Sequence, residues 1–151
     1  AAASITFSSI PATYTDLVLV GNSAFSSGAN DMKYRLNGDT GSNYSETYLS
    51  GNGTSVFSGR TTSQTNVDQS VYATAGTTLG NQMTIVNFMN YSNTTTYKTS
   101  IGRAGAAANG TDAIVGLWRS TAAIHTILVF IGGSVTFAAG TTFTLYGIAA
   151  A

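Results

Sequence analysis

Cysteine is missing from the 151 residues, so neither a disulfide framework nor a thiolate metal site can form. That absence fits a reducing compartment, or an assembly that gains stability in other ways. Charge is scarce. Six Lys and Arg balance six Asp and Glu, and only 8% of residues are charged. A nucleic-acid binder neutralises phosphates with a basic stripe, which six scattered cations do not supply. The same scarcity argues against an electrostatically steered membrane contact. Pro11 is the one proline, so there is no proline-rich linker. No apolar run approaches the ~20 residues of a membrane-spanning helix; the longest, Ile124 to Ile131, is interrupted by His125 and Thr126. Ala1-Ala2-Ala3-Ser4 carries neither a charged region nor an apolar core, so no secretory signal is expected.

Ser, Thr, Gly, Asn and Ala fill the chain, but 43% of residues are hydrophobic and 11% aromatic, too many for an unfolded polymer. A chain of this length can bury a core without metals or staples, and one domain over residues 1–151 is expected. Small free proteins usually keep their net charge away from zero. A neutral chain is easier to understand if partners cover much of its surface.

The hydrophobic period is two. Met32, Tyr34 and Leu36 alternate with Lys33 and Arg35, and Ser4-Ile5-Thr6-Phe7 alternates likewise. Asp16 to Val20 is a short β-branched run ended by Gly21-Asn22, as expected of a strand buried on both faces. Further strands are expected at 44–49, 55–58, 69–72, 83–89, 97–101, 113–118, 124–130 and 142–148. Turn signals separate them: Asn37-Gly38-Asp39, Gly51-Asn52-Gly53, Asn109-Gly110-Thr111 and Gly132-Gly133-Ser134 carry residues that accept positive φ cheaply, as tight hairpins require. Ala104 to Ala108 has the composition of a brief helical turn, and the polar stretch Ser58 to Asn66 reads as a long, partner-facing loop. About ten short antiparallel strands without an amphipathic helix predict a jelly-roll-like β-sandwich.

Catalytic signatures are sparse. His125 is the one histidine, has no carboxylate nearby in sequence, and is expected to be an ordinary strand residue. No Gly-x-Ser-x-Gly elbow and no phosphate-binding glycine loop is present. Asp16, Asp31, Asp39, Glu46, Asp68 and Asp112 are spread out, whereas a glycosidase needs two carboxylates across a cleft. Asn37 to Asn43 has the composition of a cation loop but lacks its acidic spacing. Glu46 could reach back to such a loop, but the favoured reading is a hairpin loop held by Asx turns. Five Asn-x-Ser/Thr triplets begin at Asn43, Asn52, Asn90, Asn93 and Asn109; composition alone predicts about three in a chain more than a quarter Ser and Thr, and with no secretion signal expected they are read as chance. The rings Tyr44, Tyr48, Tyr72, Tyr91, Tyr97 and Trp118 form either a sugar-stacking platform or, as favoured here, part of the core. Trp118, Arg119 and Tyr44 are the candidate contact residues. No catalytic residue, metal ligand or cofactor site is expected.

Five segments resemble a β-sandwich domain of tailed-bacteriophage virion proteins. They are Ile5 to Leu19, Arg35 to Ser45, Thr84 to Ser92, Gly116 to Ile124 and Ala139 to Ile148, in that order along nearly the whole chain. The resemblance brings no catalytic residue with it. In such proteins the domain often ends a longer fibre or tail protein; standing alone, it is expected to be a head decoration (cement) protein on the capsid surface. The resemblance implies contacts with the major capsid protein and with sister copies, as a homotrimer, and no enzymatic activity. The alternative is a tail-fibre or receptor-binding module that recognises host glycans. A hydrolase on the same scaffold is the third reading.

Overall fold

The structure, a computed structural model, describes residues 2–28, 30–76 and 80–149. Within them the chain forms eleven strands and no helix: β1 (Ser4–Phe7), β2 (Asp16–Ser23), β3 (Met32–Leu36), β4 (Tyr44–Gly51), β5 (Val56–Gln64), β6 (Val67–Asp68), β7 (Gln82–Phe88), β8 (Lys98–Ala106), β9 (Gly110–Trp118), β10 (Ile127–Ile131) and β11 (Thr142–Ile148). A small sheet runs β1-β10-β3-β6 and a large sheet runs β11-β2-β7-β8-β9-β4-β5. Every strand pairing is antiparallel. The fold is a β-sandwich, as the two-residue period predicts.

Alternation sets the core. Met32, Tyr34 and Leu36 of β3 and Ile127, Val129 and Ile131 of β10 point inward. They meet Leu17, Leu19, Val86, Phe88, Ile114 and Trp118 from the large sheet in one hydrophobic cluster. Tyr34 meets Phe88 edge-on at 5.2 Å between ring centres, the arrangement aromatic quadrupoles favour. Its hydroxyl lies 2.5 Å from Ser100 Oγ, which satisfies a phenol that would otherwise be stranded. On the other side of the small sheet Lys33 pairs with Asp68 at 2.6 Å, and the Arg35 guanidinium lies 4.7 Å from the centre of the Phe130 ring.

Several local expectations are corrected. Ser58 to Asn66 is not a loop: most of it is the edge strand β5, where Thr and Ser suit a pleated surface that needs little burial. A bulge interrupts its pairing with β4 between Tyr44 and Glu46, and Ser63 at φ 57° sits in it. Residues 104–106 continue strand β8 and only 107–109 turn, so no helical turn forms. The strand expected at 124–130 begins at Ile127, leaving His125 outside it and exposed. Asn37 and Gly38 do adopt φ of 52° and 69°, but they lead from β3 in one sheet to β4 in the other rather than closing a hairpin. The Gly51-Asn52-Gly53 and Asn109-Gly110 turns do join paired strands.

The expected strand at 69–72 is absent, and its replacement shapes the rest of the molecule. Asp112 lies buried on the inward side of β9, where its carboxylate accepts the N–H groups of Val71 (2.8 Å), Tyr72 (3.1 Å) and Ala73 (2.8 Å). One carboxylate taking three successive amides curls the chain, so it cannot run extended. Gln82 donates its side-chain amide to the Ala73 carbonyl, and the Tyr72 ring stacks on Phe57 at 4.3 Å. Residues 69–76 thus cover one end of the large sheet with irregular backbone. Asp112 and Gln82 on the sheet below satisfy part of it, and the backbones of Met32 and Asn30 another part.

Candidate functional site

The three candidate contact residues do come together, but around a crossing between the sheets. Trp118 is 3% exposed and Tyr44 is fully buried, their rings stacked 6.3 Å apart. Trp118 Nε1 donates to Asp39 Oδ2 at 2.7 Å, and the same carboxylate accepts from Gly41 N (2.8 Å) and Asn43 Nδ2 (2.9 Å). Burial works against the charge on Asp39, yet these hydrogen bonds hold its carboxyl below the usual carboxylate range. Burial pushes the Tyr44 hydroxyl up to about 12; it donates to the Leu36 and Asp39 carbonyls. Arg119 reaches Ser45 Oγ at 3.2 Å and the Ser42 carbonyl. These contacts staple residues 37–43, and Asp39 accepting Gly41 N is an Asx turn of the kind expected there. Glu46 points elsewhere, accepting Asp68 N at 2.6 Å.

The six rings do not assemble into a platform. Tyr91 is buried and donates to the Pro11 carbonyl; Tyr48 and Tyr72 are half-buried. Tyr14, Tyr97 and Tyr146 are exposed at three separate places, before β2, before β8 and on the edge strand β11. His125 is exposed, with Nδ1 3.1 Å from Thr126 Oγ1. Among the described residues no three His, Asp or Glu side chains group as a metal site.

What the tertiary structure presents instead is the outer face of the large sheet. Register carries it across all seven strands in two adjoining rows. One runs from Thr144 through Val20, Ile85, Arg103, Ala113 and Leu49 to Ser58. The next runs from Tyr146 through Val18, Asn87, Ile101, Val115 and Thr47 to Arg60. Met83, Ile101 and Leu49 are each more than half exposed, and Val56 reaches 77%. Three shallow depressions mark the face, the largest about 480 Å³ between Leu49, Ile101 and Val115. Contiguous apolar surface on this scale marks interaction sites in soluble proteins.

Charge on this face is one-sided. Arg60 and Arg103 both point outward and, among the described residues, neither is in an ion pair or a side-chain hydrogen bond. Asp16 is the one acid of outward register in the large sheet, and its carboxylate is taken by Asn90 N at 2.6 Å. A neutral chain therefore turns an apolar, weakly cationic face to its surroundings.

None of these face residues stood out in the sequence, although a signal was there. Leu17-Val18-Leu19-Val20, Met83 to Phe88 and Ala113 to Trp118 are apolar at both parities. For β2 that pattern predicts burial on two sides. The structure buries Leu17 and Leu19 and leaves Val18 and Val20 half-covered on the open side. Compared with family models, curated proteins and solved structures, the chain matches none.

Proposed function

We propose that this chain is a structural protein of a tailed-bacteriophage virion, a decoration (cement) protein that reinforces the capsid surface and does no chemistry. The observation that carries the reading is the open face of the large sheet, a flat apolar surface suited to broad contact rather than to enclosing a small substrate. The resemblance of five ordered segments to phage virion sandwiches supports it. So does the scarcity of charge, since few ions need desolvating at each repeated contact. The partners are the major capsid protein and sister copies in a homotrimer, with no nucleic acid, membrane or cofactor.

Recognition of host glycans by a tail-fibre module is the competing function. Burial of Trp118, Tyr44 and Tyr91 works against it, because stacked sugars need exposed rings. Cryo-electron microscopy of the intact virion tests the proposal: density for this sandwich on the capsid lattice at local symmetry axes is expected. Density confined to the tail tip or fibres would overturn it.

A further inference from the structure

We infer that the open face of the large sheet seats on a partner protein surface built of aliphatic side chains and carboxylates, with Arg103 and Arg60 as its charged anchors. The inference rests on the structural role proposed above and adds which face is covered and by what chemistry.

Each of the other four Lys and Arg side chains is already engaged internally. Lys33 pairs with Asp68 at 2.6 Å, and Arg35 Nε donates to the Thr65 carbonyl at 2.9 Å. Lys98 Nζ, on a buried side chain, donates to the carbonyls of Thr96 (2.8 Å) and Thr121 (3.1 Å), and Arg119 holds Ser45 and Ser42. Among the described residues Arg60 and Arg103 are left for an external acceptor: Arg60 lies on the edge strand β5 opposite Thr47, while Arg103 stands between the aliphatic Ile85 and Ala113 of the same face. Arg103 sits near its middle, lining all three depressions. A guanidinium presents a planar fork of donors that matches a carboxylate bidentately, and apolar surroundings strengthen such a pair once water is displaced.

Size agrees. Seven strands at about 4.8 Å spacing and about 23 Å length make a face of roughly 700 Å², close to the ~800 Å² each partner contributes to a standard interface.

A second copy docked face to face is a poor occupant. The face's one carboxylate, Asp16, lies one strand in from the β11 edge and already accepts Asn90 N, so two copies would bring four arginines against two acids. A lipid or polyanion surface calls for a cluster of cations rather than two arginines three strands apart.

The experiment uses shells of the parent phage stripped of this chain and the purified chain as probe. The R60E/R103E variant is expected to bind roughly 30-fold more weakly or worse at an unchanged melting temperature, while R60K/R103K keeps most of the affinity. Wild-type binding should weaken as salt rises from about 50 mM to about 500 mM. Undiminished binding by R60E/R103E overturns this inference and leaves the structural role standing. Failure of the wild-type chain to bind stripped shells overturns both. A free chain that self-associates through this face, with the association broken by I101E, overturns the inference because the occupant is then a second copy.

Discussion

Ile101 and Gly102 are neighbours in β8, yet one is 53% exposed and the other is buried beneath Gln69. The contrast repeats across the large sheet. The covered face carries Gln82, Thr84, Ser100, Glu46 and Asp112 alongside its rings, while the open face carries Met83, Ile85, Ile101, Val115 and Leu49. Over part of the sheet the usual arrangement, apolar in and polar out, is therefore reversed. The cause is what lies on top. Where β3 and β10 form the lid, their backbone hydrogen bonds are satisfied in the small sheet and, apart from the Tyr34 hydroxyl met by Ser100, they need only apolar partners. Where residues 69–76 form the lid, irregular backbone brings unpaired N–H and C=O groups, and the sheet must answer them with polar side chains. Aliphatic residues on the opposite parity then face outward.

Three perturbations bear on that contrast. Asp112→Ala should have the largest effect. Three amides lose their acceptor under cover, and the fold should lose about 4 kcal/mol in urea denaturation. A loss below about 1 kcal/mol would mean that residues 69–76 are held by something else.

The next compares the faces directly. Leu19 is fully buried and Leu49 is 55% exposed. Leu19→Ala should cost about 3 kcal/mol through lost burial and the cavity left behind, whereas Leu49→Ala should stay within about 0.5 kcal/mol in the free chain. Equal losses would show that the outer face is already covered in the free protein.

The smallest effect is on pH. Burial, more than any neighbouring charge, raises the Asp31 carboxyl to about 6 and that of Glu46 to about 7, against ordinary values of 3.8 and 4.5. Both groups hold their protons more tightly folded than unfolded. Their contribution to stability is therefore fully present below the unfolded values and is lost as pH rises through about 6 to 7. Melting temperature should rise on acidification from pH 8 to about 5, and Glu46→Gln should flatten much of that slope. Below about pH 4 Asp39 acts in the opposite sense, because its hydrogen bonds from Trp118, Asn43 and Gly41 favour the ionised form. A melting temperature that falls between pH 8 and 5 would contradict the burial of Glu46.

Strand identity was legible wherever the chain alternates on its own: β1, β3 and β11 lie where a two-residue period puts them, whereas β9, expected at 113–118, begins three residues earlier at Gly110. Ser58 to Asn66 reads as a loop because polarity alone resembles one, while the edge strand that continues there to Gln64 needs little apolar surface. Residues 69–72 were misread in the opposite sense, since the carboxylate that curls them lies 40 positions away in β9. Trp118 and Tyr44 are candidate contact residues in the sequence, yet their stacking beneath the β3–β4 crossing depends on Asp39 reaching Trp118 across 79 positions.

By itself the sequence determined an all-β sandwich, the inward residues of β3 and the lack of cysteine chemistry, because period, turn residues and composition are local properties. The tertiary structure alone decided which parity of β7, β8 and β4 faces the core and that Arg60 and Arg103 share one open face. Those outcomes depend on what packs above each strand and on register carried across seven neighbours, and neither is written in any one segment.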